Sequence, residues 1–179
     1  MRGNTAKTAL CGVVSALSVA LMVLEGLFQT ASVAVPAIAG CLLIPIVAHA
    51  GPGWAFGSYG ATAVLCLLLA PDKEAALIYL LFFGYYPALF AVLSKIRSSA
   101  LRWAAKLLLF NAAAVAEALL ATYVLGIPWE DIPFLPMPWG GIALLLAANL
   151  VFVLYDWTLR GLIDQYYRRL HGKLSKYFK

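Results

Sequence analysis

Residues 75–106 read AALIYLLFFGYYPALFAVLSKIRSSALRWAAK. The first part of this stretch, 75–94, contains no charged side chain, and four basic residues follow within 95–106. A helix of about 20 mostly apolar residues is long enough to cross the hydrocarbon core of a bilayer. The stretch therefore predicts a membrane-spanning helix that ends in a basic loop.

The composition of the whole chain agrees with this prediction. Of the 179 residues, 64% are hydrophobic and 12% are charged, and the mean hydropathy is +0.89. Soluble domains are about 45–50% apolar and about 25% charged. These values exclude a water-soluble enzyme, and they also exclude a disordered chain, which needs more charge to stay solvated. The length allows one domain.

Mostly apolar runs of this kind recur along the chain and predict six transmembrane helices. The predicted spans are 8–28, 31–49, 53–70, 75–94, 105–125 and 139–160. Gly51-Pro52-Gly53 predicts a tight turn, and the four prolines within 126–138 predict a non-helical loop. The predicted fold is therefore all-α, with a transmembrane domain over 1–160 and a basic amphipathic cytoplasmic tail over 161–179. A surface helix, a plain charged tail and a docking helix all fit the tail.

The positions of the basic residues predict the orientation of the chain. With six spans, twelve of the thirteen Lys and Arg residues fall on one side, and Lys73 alone falls on the other. Basic residues favour the cytoplasmic side, so we expect both termini there, in a multi-pass protein of a bacterial cytoplasmic membrane. A cleaved signal peptide within 1–34 is the competing interpretation. Glu25 argues against it because it interrupts the approach to the cleavage site.

The sequence lacks the motifs of the common enzyme classes. The three cysteines form no CxxC pair, the two histidines lie in different segments, and no HExxH, GxSxG, Walker or GxGxxG pattern occurs. We therefore expect no enzyme activity, no cofactor and no metal site. The net charge of +5 comes from the loop and the tail and not from a nucleic-acid motif.

Glu117 is the ionisable residue that most needs an explanation. Counted from Lys106 at the predicted inner face, it lies about 16 Å along its helix, near the middle of the membrane. A carboxyl at that depth needs a partner. A structural hydrogen bond to Asn149 or to a tyrosine, and contact with a ligand, both stay open at this point.

Two further polar positions predict contacts inside the protein. Asn111 lies about 120° around the helix from Glu117, so we expect it to bond to a neighbouring helix. Asn149 and Asp156 share a face of the last span, and Arg160 follows Asp156 by four residues. This spacing favours a local ion pair near the inner interface.

The fourth span carries an aromatic face and two helix-loosening residues. Tyr79, Phe83 and Tyr86 lie on one face, and Gly84 and Pro87 predict a kink. Either aromatic packing or a ligand cavity fits this arrangement.

Small residues recur at four-residue spacing on two of the predicted helices. They are Gly12, Ala16 and Ala20 on the first span and Gly53, Gly57 and Ala61 on the third. Such ladders let helix backbones approach closely inside a membrane. The partner helix belongs either to this chain or to another.

In size, span number and the stretch ALCGVVSALSVA at 9–20, the chain resembles the substrate-binding S components of energy-coupling factor (ECF) transporters. That stretch is similar to the AxxxA element of the family's first helix, with Gly12 in place of the first alanine. The resemblance implies a pocket for a small polar metabolite or vitamin-like solute in the outer half of the membrane. It also implies docking, through Gly12, Ala16 and Ala20, on a transmembrane coupling subunit that is driven by paired ATPases.

Depth and polarity, and not a family motif, select the candidate pocket residues. They are Glu25, Tyr79, Tyr86, Glu117 and Trp139. We expect the aromatic rings to stack on the solute and Glu117 to meet a hydrogen-bond donor or a cationic group. The alternative hypothesis is a non-transport membrane scaffold in cell-envelope or cell-shape assembly, in which the same residues serve helix packing.

Overall fold

The computed structural model describes residues 2–26, 32–126 and 139–171, and all regular structure in these ranges is helical. The helices are α1 (Arg2–Glu25), α2 (Ala34–Cys41), α3 (Ile44–His49), α4 (Pro52–Leu69), α5 (Lys73–Ile78), α6 (Tyr86–Leu93), α7 (Ser99–Tyr123) and α8 (Gly140–Tyr166). Two π-helical turns, Tyr79–Phe83 and Tyr167–His171, follow α5 and α8. The predicted all-α class is confirmed for the described residues.

Within the described ranges, five helical segments are long and apolar enough to cross a membrane. They are Asn4–Glu25, Pro52–Leu69, Lys73–Leu93, Ser99–Tyr123 and Gly140–Arg169. A sixth apolar segment, Ala34–His49, is shorter. The orientation of the bundle stays a prediction. Residues 27–31, most of the proline-rich loop at 126–138 and the tail beyond 171 lie outside the described residues.

The predicted second span, 31–49, is divided into α2 and α3. The division falls at Leu42 and Leu43, where the Leu43 amide bonds to the Gly40 carbonyl at 3.0 Å in a tight turn. Pro45 is the physical reason, because it has no amide hydrogen to bond back to Cys41. The prediction of a single unbroken helix over 31–49 is therefore wrong.

The predicted kink in the fourth span is present as a π-helical turn. The Gly84 amide bonds to the Tyr79 carbonyl at 2.8 Å, five residues back, and α6 begins just before Pro87. Side chains fill the space that the kink leaves. A Cβ added at Gly84 would lie 2.7 Å from both the Tyr59 and the Tyr79 ring. This kink therefore opens no cavity at Gly84.

Aromatic rings join the fourth span to α7 and α8. Phe110 of α7 and Phe152 of α8 stack with ring centroids 4.6 Å apart, and Phe82 contacts both edge-on. Tyr86 contacts Phe82 at 4.7 Å and is fully buried. Such ring pairs add to the burial energy by about 0.5–1.5 kcal/mol each. The rings of this cluster hold three helices together.

Helix α8 continues past the predicted boundary at residue 160. Leu159 is fully buried, and Tyr166 is 8% exposed. The Tyr166 hydroxyl shares a 2.8 Å hydrogen bond with Nε2 of His49 at the end of α3. The first part of the predicted tail is therefore helical and packs on the protein itself.

Candidate functional site

Four carboxylates lie at the end of the bundle where α1 ends, α5 begins and α7 approaches its end. They are Glu25, Asp72, Glu74 and Glu117, here called the acidic cluster. Glu25 lies close enough to Asp72 and Glu74 for the charges to repel, and Glu117 lies within the same range of Glu74. This end of the bundle is therefore strongly electronegative when the groups are ionised.

The described residues supply no ion pair to the acidic cluster. Lys73 lies within the same stretch of chain, but its Nζ donates to the carbonyl oxygens of Leu67 and Ala70, both at 2.9 Å. The lysine therefore caps the end of α4 and does not form a salt bridge with the carboxylates.

Glu25 is the deepest member of the cluster. Its side chain is 3% exposed, and neither of its oxygens accepts a hydrogen bond from a described residue. Asp72 cannot supply a donor while both carboxyls are ionised, since its oxygens accept from the Ala75 amide at 3.0 Å and the Ser32 hydroxyl at 2.9 Å. A buried carboxylate without a partner is costly. Glu25 thus requires a proton or a cationic partner.

Glu117 lies in the second half of α7, and its depth in a membrane stays a prediction. The depth of Glu117 was counted from Lys106 as a residue at the inner membrane face. Lys106 is instead 1% exposed and lies about two turns inside α7, so it does not mark that face. The physical reason for this correction is that Lys106 has a buried partner. Glu117 is half-buried.

Asn149 is already occupied and is not the partner of Glu117. Its amide nitrogen donates to Asn111 Oδ1 at 2.8 Å, and Asn111 returns a bond to Asn149 Oδ1 at 3.1 Å. Each amide nitrogen also donates to a carbonyl of its own helix. The prediction that Asn111 bonds to a neighbouring helix is confirmed.

The structure brings together two of the five predicted pocket residues. Glu25 and Glu117 share the acidic end. Tyr79 is fully buried in the core, and its hydroxyl forms no hydrogen bond within the described part of the chain. Tyr86 donates to Asp156 Oδ1 at 2.5 Å, and Trp139 is 75% exposed at the start of α8. Neither buried tyrosine presents a ring face to a solute in this conformation.

A buried ion pair that the sequence analysis missed joins α7 to α8. Lys106 Nζ donates to Asp156, each residue is 1% exposed, and Nζ also lies 4.1 Å from the Phe90 ring centroid. The predicted pair of Asp156 with Arg160 is present at 3.4 Å but is secondary. The sequence feature that could have indicated this pair is that Lys106 and Asp156 each interrupt an apolar run.

Gly12 of the first small-residue ladder and all three residues of the second line an open groove between α1 and α4. The groove has a volume of about 660 Å³ and its lining includes Gly12, Ser15, Gly53, Gly57 and Ala61. A Cβ added at Gly12, Gly53 or Gly57 would meet nothing within 4 Å. The glycines therefore do not serve close packing within the described chain. Ala16 and Ala20, also predicted for docking, are exposed on α1 outside this lining.

Comparison of the chain with protein-family models, curated proteins and solved structures gives no match.

The acidic cluster does not have the arrangement of a metal site within the described residues. No group of three or more His, Cys, Asp or Glu side chains in the described residues has the arrangement that holds a metal. The carboxylates are nevertheless close enough to repel one another. A nitrogen cation can relieve that repulsion without tight octahedral or tetrahedral coordination.

Proposed function

We propose that the chain is the solute-binding membrane subunit of an ECF-type uptake transporter, and that it binds a small polar or vitamin-like solute at the acidic cluster. The observation that carries the proposal is Glu25, which is 3% exposed and whose two oxygens accept no hydrogen bond from the described residues. Structural carboxylates in membrane helices have partners. An acid without one is suited to a partner that arrives from outside the chain.

The solute that fits this site carries a protonated amine or a similar nitrogen group with several N–H donors. Such a group can donate to both oxygens of Glu25, and its charge offsets the repulsion from Asp72 and Glu74. Glu117 lies at the same end and extends the negative field toward α7. Tyr79 and Tyr86 contribute to the proposal only as packing, since both are fully buried.

The α1–α4 groove gives this proposal a docking surface. Gly12, Gly53 and Gly57 leave space that a helix of another subunit can enter closely. In the proposed transporter, that helix belongs to the transmembrane coupling subunit, which the paired ATPases drive. The α1 residues that line the groove lie within 8–15, whereas Glu25 is the last residue of that helix. The proposed docking surface and the proposed solute site are therefore separate.

A membrane scaffold is the second candidate, and the same groove favours it. An open small-residue groove is suited to a partner helix whether or not a solute binds at Glu25. The two candidates differ in what Glu25 does. A scaffold has no use for a buried carboxyl that lacks a partner among the described residues, whereas a solute receptor depends on it.

Native mass spectrometry of protein extracted gently from its own membranes tests the proposal. We expect a co-purifying small molecule of defined mass that is lost in Glu25→Gln and reduced in Glu117→Gln. Asp164→Asn is the matched control, because Asp164 is exposed near the far end of α8. A bare chain that instead retains envelope-assembly proteins, in the wild type and in Glu25→Gln alike, would favour the scaffold.

A further inference from the structure

A basic notch lies at the opposite end of the bundle from the acidic cluster. It has a volume of about 210 Å³ and opens between α6, α7 and α8. Its lining consists of Phe90, Ser94, Arg102, Lys106 and Arg160. Three cationic side chains therefore surround one small space.

The nearby carboxylate cancels only part of this positive charge. Asp156 accepts hydrogen bonds from Lys106 and from Tyr86, and Arg160 approaches it at 3.4 Å. Arg102 donates to the Ile96 carbonyl at 3.5 Å, which is a long contact. One negative charge thus faces three positive ones, and the two guanidinium groups retain donors for an anion.

Exposed apolar residues, here called the apolar strip, continue the two arginine faces away from the notch, one on α7 and one on α8. Leu109 follows Arg102 by seven residues and Val153 precedes Arg160 by seven, so each shares a helix face with its arginine. Leu109 is 37% exposed and Val153 is 41% exposed. The pairs Lys106–Asp156 and Asn111–Asn149 set the register of α7 against α8 and place the two residues at one level.

We propose that the notch binds the phosphate of an anionic phospholipid, with Arg102 and Arg160 on its oxygens and its acyl chains along the exposed faces that carry Leu109 and Val153. Guanidinium groups match phosphate oxygens with paired donors. Basic pockets between transmembrane helices are suited to anionic head groups. A free phosphate has the same head-group chemistry, but it leaves the apolar strip unused. This site is independent of the solute site at Glu25.

Lipid titrations of the full-length protein, followed by native mass spectrometry, test the proposal. The probes are phosphatidylglycerol and phosphatidylcholine with the same acyl chains. We expect tighter binding of phosphatidylglycerol to the wild type, and a Kd about 10- to 30-fold higher in the Arg102→Gln/Arg160→Gln double variant. This variant leaves the buried pair of Lys106 and Asp156 intact.

The matched control removes the same charge from the same end of the bundle. Lys95→Gln/Arg97→Gln alters two exposed residues that do not line the notch. We expect its Kd for phosphatidylglycerol to rise by less than about threefold, as a diffuse electrostatic effect predicts. Equal losses in the two double variants, or equal affinities of the wild type for the two lipids, would overturn the proposal.

Two further arms identify the source of the phosphate and cover a failure to fold. If inorganic phosphate at millimolar concentration displaces phosphatidylglycerol, the lipid assignment is wrong. If the double arginine variant does not fold, Leu109→Asn/Val153→Asn tests the strip instead. We expect that variant to weaken phosphatidylglycerol severalfold, and unchanged lipid affinity would overturn the proposed path of the acyl chain.

Discussion

Lys106 on α7 and Asp156 on α8 form an ion pair in which each residue is 1% exposed. The pair is supported on both sides, since Tyr86 donates to the carboxylate and the Phe90 ring lies 4.1 Å from the ammonium. Cation–π contact and a charge-assisted hydrogen bond both gain strength where water is excluded. The network therefore joins α6, α7 and α8 at a defined register.

Removing one partner of this pair is expected to destabilise the protein strongly. Lys106→Met leaves the buried Asp156 carboxylate with only the Tyr86 hydroxyl and the half-exposed Arg160 at 3.4 Å, which we expect to cost about 3 kcal/mol. Unfolding in detergent, monitored by circular dichroism, measures the change. Lys106→Met/Asp156→Leu is expected to recover most of the loss.

Arg160→Gln is the control, because Arg160 is 47% exposed and a pair so exposed contributes about 1 kcal/mol or less. A Lys106→Met variant as stable as the wild type would contradict the assignment.

Glu25→Gln is expected to stabilise the protein in the absence of solute. The change removes a buried carboxylate whose oxygens have no described partner, and we expect a gain of about 1–2 kcal/mol. The same variant is expected to lose stabilisation by the solute, so the order of the two unfolding temperatures reverses when solute is added. Asp164→Asn should move neither value. A Glu25→Gln variant less stable than the wild type would show that Glu25 has a structural partner.

Gly40→Ala is expected to be among the most damaging single-methyl changes in the chain. A Cβ at Gly40 would lie 2.1 Å from the Phe83 carbonyl oxygen, and that oxygen belongs to the backbone of the π-helical turn, so it cannot move cheaply. We expect a loss of about 1–3 kcal/mol, measured by detergent unfolding. Gly12→Ala is the control and should be neutral or slightly stabilising, since open space surrounds it. Equal effects at the two positions would contradict the close contact between Gly40 and the Phe83 carbonyl.

The helical fold could be predicted from the sequence because long apolar runs leave few alternatives. Proline and glycine marked the turn at 51–53 and the loosened fourth span correctly. The division of 31–49 was missed, although Pro45 was visible, because hydropathy averages over a single proline. Whether Gly84 opens or closes a cavity depends on the rings of Tyr59 and Tyr79, which come from separate helices.

The candidate site could be predicted only in part, for a related reason. Depth and polarity selected Glu25 and Glu117, and these do lie at one end of the bundle. The same criteria selected Tyr79 and Tyr86, which are fully buried in the core. Lys106 was counted as an interface residue because a lysine near a loop usually extends to water. Its partner lies fifty residues away, so local spacing could not reveal it.

Filling the α1–α4 groove is expected to separate partner docking from solute binding. Gly57→Leu places a bulky side chain where a Cβ meets nothing within 4 Å, so the subunit itself should fold normally. We expect it to keep the proposed solute-dependent stabilisation through Glu25, and to weaken the proposed complex with a coupling subunit by roughly thirtyfold or more, which corresponds to about 2 kcal/mol. Native gels of solubilised membranes measure the complex, and solute uptake by cells should fall with it. Gly60→Leu is the matched control, because Gly60 lies on the same helix, also in open space, but does not line the groove. If both leucine variants assemble and transport like the wild type, the groove is not the docking surface, and the small residues serve only contact with lipid.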